Sequence, residues 1–187
     1  TGTTVDEAST GNVITTAMFQ TTDVDNTAAQ LTYTVTAATG NGTLRLSGTA
    51  LSVSDTFTQA DIDGGNVTYD HDGSETVSDS FSFTVDDGAG TSSSGTFNIT
   101  VTPVNDEEVL ATNTGATVNE ASTGNVITTA MLATTDVDNT PAQLTYTVTV
   151  TNNGPDDVAA VSVSGVADLG IGGSGPTVTV HSITGCS

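Results

Sequence analysis

The chain has 187 residues and sets 22 Asp and Glu against a single basic side chain, Arg45, for a formal net charge of −21. A surface this acidic repels nucleic acid and anionic membrane faces, so cations are the partners its electrostatics favour. No apolar run approaches the ~18 residues of a membrane span, and the lone Cys186 has no intrachain partner for a disulfide. The apolar residues are Val, Ile, Leu and Phe in alternating runs, which reads as a folded chain and not a disordered one. With no initiating Met and no leader, the sequence reads as a mature product or an excerpt from a longer protein.

The opening segment occurs twice. Thr1–Thr36 returns as Thr114–Thr149, with changes only at Thr3/Ala116, Asp6/Asn119, Phe19/Leu132, Gln20/Ala133 and Ala28/Pro141. Near-identity over that length marks a tandem array, whose units usually extend, space or adhere. In chain order, Leu31–Val35, Phe81–Val85 and Phe97–Val101 alternate apolar with Ser, Thr or Asn at period two, which predicts half-buried strands. Turn signals separate them at Gly40-Asn-Gly42, Asp63-Gly-Gly65, Asp72-Gly73 and Asp86-Asp-Gly88, the last predicting a hairpin. Thr177–Ile183 reads as a final strand after the Gly-rich stretch 165–175. No helix-length segment shows a 3.6 period, so the fold predicted is all-β, with tandem antiparallel Greek-key sandwiches. At 4% aromatic and no Trp, the core reads as thin, which makes an external stabiliser plausible.

Several acidic motifs then fall into a recognisable order. Val5-Asp-Glu-Ala-Ser9, Asp23-Val-Asp-Asn26, Phe57-Thr-Gln-Ala-Asp-Ile-Asp-Gly-Gly65, Val67-Thr-Tyr-Asp-His-Asp-Gly73, Asp79–Gly88 and Val104-Asn-Asp106 together resemble the bacterial cadherin-like repeats of the proteoglycan (CSPG) type. That resemblance implies a seven-stranded, Ig-like sandwich over residues 1–105, a linker over 106–113, and a second, shortened or hybrid repeat over 114–187. It also implies calcium held where repeats meet, and adhesion or spacing at a cell surface without catalysis. Past Thr149 the Phe57–Gly88 motifs do not recur; Val150-Thr-Asn-Asn-Gly-Pro-Asp-Asp157 instead resembles bacterial Ig-like surface repeats with a TNNGP turn.

The residues support a cation independently of the family. Carboxylates two apart, as in Asp23/Asp25, Asp61/Asp63, Asp70/Asp72 and Asp136/Asp138, repel one another on one side of an extended loop unless a cation lies between them. Ca2+, which takes 6–8 oxygens at loose geometry, suits such loops. The same Asp and Asn residues beside Gly are also ordinary turn formers. The metal candidates are Glu7, Asp23, Asp25, Asp61, Asp63, Asp86, Asp87, Asn105, Asp106, Asp136 and Asp138. Cadherin-like topology would carry Glu7 and the Asp61/Asp63 loop to one end of the first repeat, next to the Asn105-Asp106 linker and the Asp136/Asp138 loop. The partners expected are neighbouring repeats or copies of the chain itself, then a cell-surface receptor or glycan, in an extracellular or cell-surface setting. The second unit lacks the closing hairpin of the first, so the apolar face of Val118, Ile127, Leu144, Tyr146 and Val148 needs cover from residues 150 and 158–163 or from a strand of another copy, which would make the chain a filament subunit. Catalysis is not expected: His71, between Asp70 and Asp72, has no nucleophile in a suitable context, and His181 reads as a surface strand residue.

Overall fold

Alternation of apolar and hydroxyl side chains builds the strands where the sequence places them. The computed structural model describes residues 2–117, 119, 124–151 and 178–184, in two compact units, Thr1–Val104 and Asn105–Ser187. The first unit runs β1 (Gly2–Asp6), β2 (Asn12–Val13), β3 (Thr32–Ala37), β4 (Gly42–Leu46), β5 (Thr49–Ala50), β6 (Thr56–Thr58), α1 (Gln59–Asp63), β7 (Val67–His71), β8 (Ser78–Asp86) and β9 (Ser92–Thr102). One sheet has the order β1-β9-β8-β3-β6 and the other β2-β7-β4-β5. The resemblance implied seven strands; two of the nine here, β2 and β5, are only two residues long. All pairings are antiparallel except β1 on β9, which is parallel. The predicted hairpin at Asp86–Gly88 is present, with β8 and β9 paired from Ser78↔Thr100 to Asp86↔Ser92.

The core between the sheets is richer than the composition suggests, because the aromatic residues are concentrated. All five phenylalanines lie in the first unit. Phe19 comes from a loop, and its ring lies 4.7–6.4 Å from Tyr33, Phe57, Phe81, Phe83 and Phe97. Tyr33 stacks on Phe57 and Phe81 on Phe97, arrangements that add to plain area burial. Leu44, Val67 and Tyr69 close the core from the second sheet, each at most 2% exposed. The expectation of a thin core therefore fails for this unit. Gly95 makes room for the cluster, since a Cβ there would sit 2.7 Å from the Phe83 ring.

Among the described residues, α1 is the one helix. Thr58 caps it: its hydroxyl accepts the Asp61 N–H while the Asp61 carboxylate accepts the Thr58 N–H, a capping box that satisfies two otherwise orphaned donors. Gly64 ends the helix, so the turn expected at Asp63-Gly-Gly65 becomes its C-terminal boundary.

In the second unit β10 (Val109–Asn113) pairs antiparallel with β11 (Leu132–Thr135), and β12 (Tyr146–Thr151) pairs parallel with β13 (Val178–Thr184). β10 occupies part of the stretch read as a linker, and β13 matches the final strand expected from Thr177–Ile183. Val118, residues 158–163, the Gly-rich stretch 165–175, the asparagines of the TNNGP turn and Cys186 lie outside the described residues. Ile127 is 56% exposed, whereas its counterpart Ile14 is 1% exposed. Phe97→Ala, which empties a fully buried site against Phe81, is expected to cost about 3–5 kcal/mol. Ile127→Ala is expected to stay within about 0.5 kcal/mol; urea denaturation of the full chain measures both.

Candidate calcium-binding residues

Glu7 follows β1 and is the most unusual carboxylate of the first unit. Its own N–H bonds to the Thr102 carbonyl at the end of β9 (2.9 Å), which holds the backbone in place and turns the side chain inward. The residue is 6% exposed, and Oε2 accepts the Val104 N–H at 3.1 Å. Oε1 is buried and receives no hydrogen bond among the described residues. A buried carboxylate oxygen without a donor or cation is costly to desolvate. Glu75 adds to the negative charge, offering a carboxylate oxygen within 4.8 Å of that of Glu7.

His71 shapes this end of the unit. It sits at the end of β7 and is 4% exposed. Its Nδ1 accepts the N–H groups of Ala8 and Gly73, both at 3.2 Å. That leaves the ring proton on Nε2, which donates to Thr76 Oγ1 at 3.1 Å. Both ring nitrogens are thus spent holding the residue after Glu7 and the loop leading to Glu75, a structural task.

Asp61 and Asp63 are placed elsewhere, and here the expected geometry needs correcting. Thr58, which caps α1, pairs with Thr32, Thr32 pairs with Asp86, and Asp86 pairs with Ser92 at the start of β9. Glu7 bonds to Thr102, the last residue of β9. α1 therefore begins at the opposite end of the sandwich from Glu7. Its carboxylates also have internal partners: Asp61 completes the capping box, and Asp63 Oδ1 accepts Thr16 Oγ1 (3.0 Å) and Gln59 Nε2 (2.8 Å). Sequence spacing could not show this, because a D-x-D pair reads alike in a helix cap and a metal loop.

At that same end lie Asp23, Asp25, Asp86 and Asp87. Asp23 Oδ1 accepts the N–H groups of Asp25 (2.8 Å) and Asn26 (3.0 Å), and Asn26 Nδ2 donates to the Asp87 carbonyl at 3.2 Å. Asp86 and Asp87 each accept an N–H two residues ahead, from Gly88 and Ala89. These are self-bonded Asx turns.

The second unit brings four predicted candidates together. Asp136 Oδ1 accepts the N–H groups of Asp138 (2.8 Å) and Asn139 (2.7 Å), repeating the Asp23 turn. Asp138 Oδ2 accepts the Asp106 N–H at 2.6 Å, and Asn139 Nδ2 donates to Asn105 Oδ1 at 2.9 Å. Asn105, Asp106, Asp136 and Asp138 thus form one oxygen-rich cluster within the unit. Asn139, absent from the predicted set, ties it together; the Asp-Val-Asp-Asn spacing shared with Asp23–Asn26 was the available signal. Asn105, Asp136 and Asn139 also line an open hollow of about 490 Å3 with Glu108.

Asp70 departs from the cation reading. Its Oδ1 accepts the Gly11 N–H at 2.7 Å and its Oδ2 pairs with the Arg45 guanidinium, so the Gly11 bond first, and Arg45 with it, lowers its pKa against the opposing effect of burial. A depressed folded-state pKa adds stability that is present above the unfolded value near ~4 and is lost as pH falls through the folded value. Asp72 is lowered too, by its bonds from Ser74. Asp70→Asn is expected to flatten the loss of stability below about pH 4 while leaving the neutral-pH dependence unchanged, as checked by urea midpoints measured across that range.

Comparison with known proteins agrees with this architecture. The family described as "Cadherin-like" matches residues 2–101. The extracellular matrix organizing protein FRAS1 of Homo sapiens is 33% identical over 146 residues, covering 68% of this chain and 4% of that protein. Extracellular matrix protein 3 of Lytechinus variegatus is 38% identical over 91 residues, covering 48% of this chain and 3% of its own length. FRAS1-related extracellular matrix protein 2 of Homo sapiens is 40% identical over 65 residues, which is 35% of this chain and 2% of that protein. The chain therefore spans only a few per cent of the length of these curated relatives.

Proposed function

The chain belongs to the cadherin-like family, and from that premise we propose that it is a non-catalytic, calcium-stabilised extracellular repeat module that spaces or attaches parts of a longer surface or matrix protein. Two features support the extracellular reading: the relatives are matrix proteins by name, and the opening segment is duplicated. A bacterial surface origin is part of the proposal and rests on the resemblance to bacterial CSPG-type and TNNGP repeats.

The observation that carries the calcium reading is Glu7 Oε1, buried and without a donor among the described residues, in a side chain that lies beside a second carboxylate. An oxygen-only, anionic donor set fits a hard cation such as Ca2+. Glu7 with Glu75 in the first unit, and Asn105, Asp106, Asp136 and Asp138 in the second, are the residues we assign to it. Bound calcium would supply charge neutralisation, not reaction chemistry. The repeat division proposed from the sequence, 1–105, a linker over 106–113 and 114–187, differs from the two compact units in setting Asn105, Asp106 and β10 ahead of the second repeat, although they belong to the second unit.

A second reading, a subunit that assembles with copies of itself, is favoured by one specific observation. Val109, Leu110, Val126 and Ile127 of the second unit are 55–60% exposed. Apolar surface left in water invites a partner.

A ligand that binds only the native form adds about 2.7 kcal/mol at 100 times its dissociation constant, and modules of this kind bind at roughly 10^-4 to 10^-3 M. The melting temperature of the full chain is therefore expected to rise in excess Ca2+ over chelator. Identical melts in the two would reject the calcium reading. Glu7→Gln is expected to raise stability in chelator, by removing the uncompensated buried charge, while shrinking the calcium effect; Asp136→Ala with Asp138→Ala is expected to shrink that effect without the gain in chelator.

A further inference from the structure

One loop occurs twice in this chain, and in the second unit it carries a strand. Met18–Asn26 recurs as Met131–Asn139, changed only at Phe19/Leu132 and Gln20/Ala133. The backbone is copied as well. Met18 and Phe19 both donate N–H groups to the Thr15 carbonyl, as Met131 and Leu132 do to that of Thr128. Asp23 Oδ1 accepts the N–H groups of Asp25 and Asn26, as Asp136 Oδ1 accepts those of Asp138 and Asn139. Thr27 bonds the Gln30 side chain through N–H and hydroxyl, and Thr140 bonds Gln143 in the same way. Bonds between residues this near in sequence are set locally, so both loops offer the same backbone to a partner.

In the second unit the partner is the stretch ahead of the repeat. β10 lies antiparallel on β11, from Val109↔Thr135 to Asn113↔Leu132, and the Thr114 N–H bonds to the Met131 carbonyl. Asp138 Oδ2 accepts the Asp106 N–H, and Asn139 Nδ2 donates to Asn105 Oδ1. Asn105–Asn113 is thus built into the repeat that follows it. The matching surface of the first unit faces solvent: Gln20, Thr22, Asp23 and Asp25 are exposed, and Val24 is completely so. The Thr21 N–H is spent inward on Gln59 Oε1. Amides of an extended chain alternate in direction, so the side left to an incoming strand is that of Gln20 and Thr22. These are the counterparts of Ala133 and Thr135, which stand opposite Thr112 and Val109. Asn26 Nδ2 rests on the Asp87 carbonyl at 3.2 Å, the long end of the normal range, and can exchange that acceptor for an Asn oxygen.

We propose that Met18–Asn26 is the seat for an extended segment of an adjoining repeat with the chemistry of Asn105–Asn113: an Asn-Asp pair, two further acids, then a short strand opened by Val-Leu. The Asn oxygen of that segment accepts from Asn26 Nδ2, its Asp N–H donates to the Asp25 carboxylate, and its strand pairs with Phe19–Thr22. The occupant belongs to a further repeat, because this chain's own Asn105–Asn113 is engaged with Met131–Asn139 inside the second unit. Main-chain pairing supplies the affinity, and the Asn-Asp pair fixes the register. Segment and seat are both acidic, so cations in solution favour the contact by screening. The joint between repeats is then a strand addition and not a free tether. This seat presupposes the reading of the chain as part of a repeat array, and it does not require a bound calcium ion.

The test grafts the sequence of Asn105–Asn113 directly ahead of Thr1 in the full chain, which reproduces the Asn113–Thr114 join, and follows backbone amide exchange by NMR in excess Ca2+ and in chelator. Gln20 and Thr22 are expected to exchange about fivefold more slowly than in the ungrafted chain, the protection that one net backbone hydrogen bond gives. Ala133 and Thr135, already opposite β10, are expected to stay unchanged and serve as the reference. A graft of the same residues in scrambled order is expected to leave Gln20 and Thr22 as they are in the ungrafted chain. Asp106→Pro within the grafted copy, which removes the donated N–H, is expected to lose part of the protection. Protection that needs the native order, in either solution, supports the seat. If in both solutions the native graft slows Gln20 and Thr22 no more than the scrambled one, the seat is overturned. Melts of the ungrafted chain with and without Ca2+ test the calcium reading separately, and a graft that fails to protect leaves the array reading standing.

Discussion

The first unit depends on one insertion, that of Phe19 among rings carried by strands from both halves of the fold. Tyr33 belongs to the opening half, while Phe57, Phe81, Phe83 and Phe97 belong to the closing one, and Phe19 meets them all from a loop. Neither half can bury its apolar face alone, because β3 finds its neighbours in β6 and β8, and β1 finds its neighbour in β9. A sandwich of this size gains most of its stability from such long-range contacts, which pay for the ordering of the loops between strands.

Against that apolar centre, the polar groups fall into two kinds. Gln59, 2% exposed, is fully engaged: its Oε1 accepts from Thr21 and Tyr33, and its Nε2 donates to Asp63. Tyr69 is similarly fixed, its hydroxyl donating to Asp79 at 2.8 Å, and burial followed by that carboxylate raises its pKa. Glu7 differs, because one of its buried oxygens has no such donor among the described residues. Folding energetics disfavour an anion left in that condition. The contrast with the satisfied Gln59 network makes Glu7 the place where a cation accomplishes most.

Much of this was legible in residue patterns. The strands followed from period-two alternation, the β8–β9 hairpin from Asp86-Asp-Gly88, and the Asx turns at Asp23 and Asp136 from Asp and Asn followed by free backbone donors. What could not be read was which end of the sandwich each acidic pair would occupy. Asp61 and Asp63 resemble Asp136 and Asp138 in spacing, yet one pair caps and braces a short helix while in the other Asp136 closes its own turn and Asp138 accepts the Asp106 N–H. Burial of His71 was equally invisible, since Asp70 and Asp72 on either side of it carry no apolar signal and its partners Ala8 and Thr76 lie outside its own strand.

The two copies of the opening segment separate the local from the global. The sequence by itself determined the turns at Thr15–Phe19, Asp23–Asn26 and Thr27–Gln30, which recur in Thr114–Thr149 because each closes through hydrogen bonds spanning only a few residues. Only the tertiary structure decided that Ile14 is 1% exposed and Ile127 56% exposed, although the eleven residues from Glu7 to Ala17 are repeated unchanged. Burial requires a partner surface, and Val67 and its neighbours, which supply it for Ile14, lie far along the chain and have no copy after Thr149.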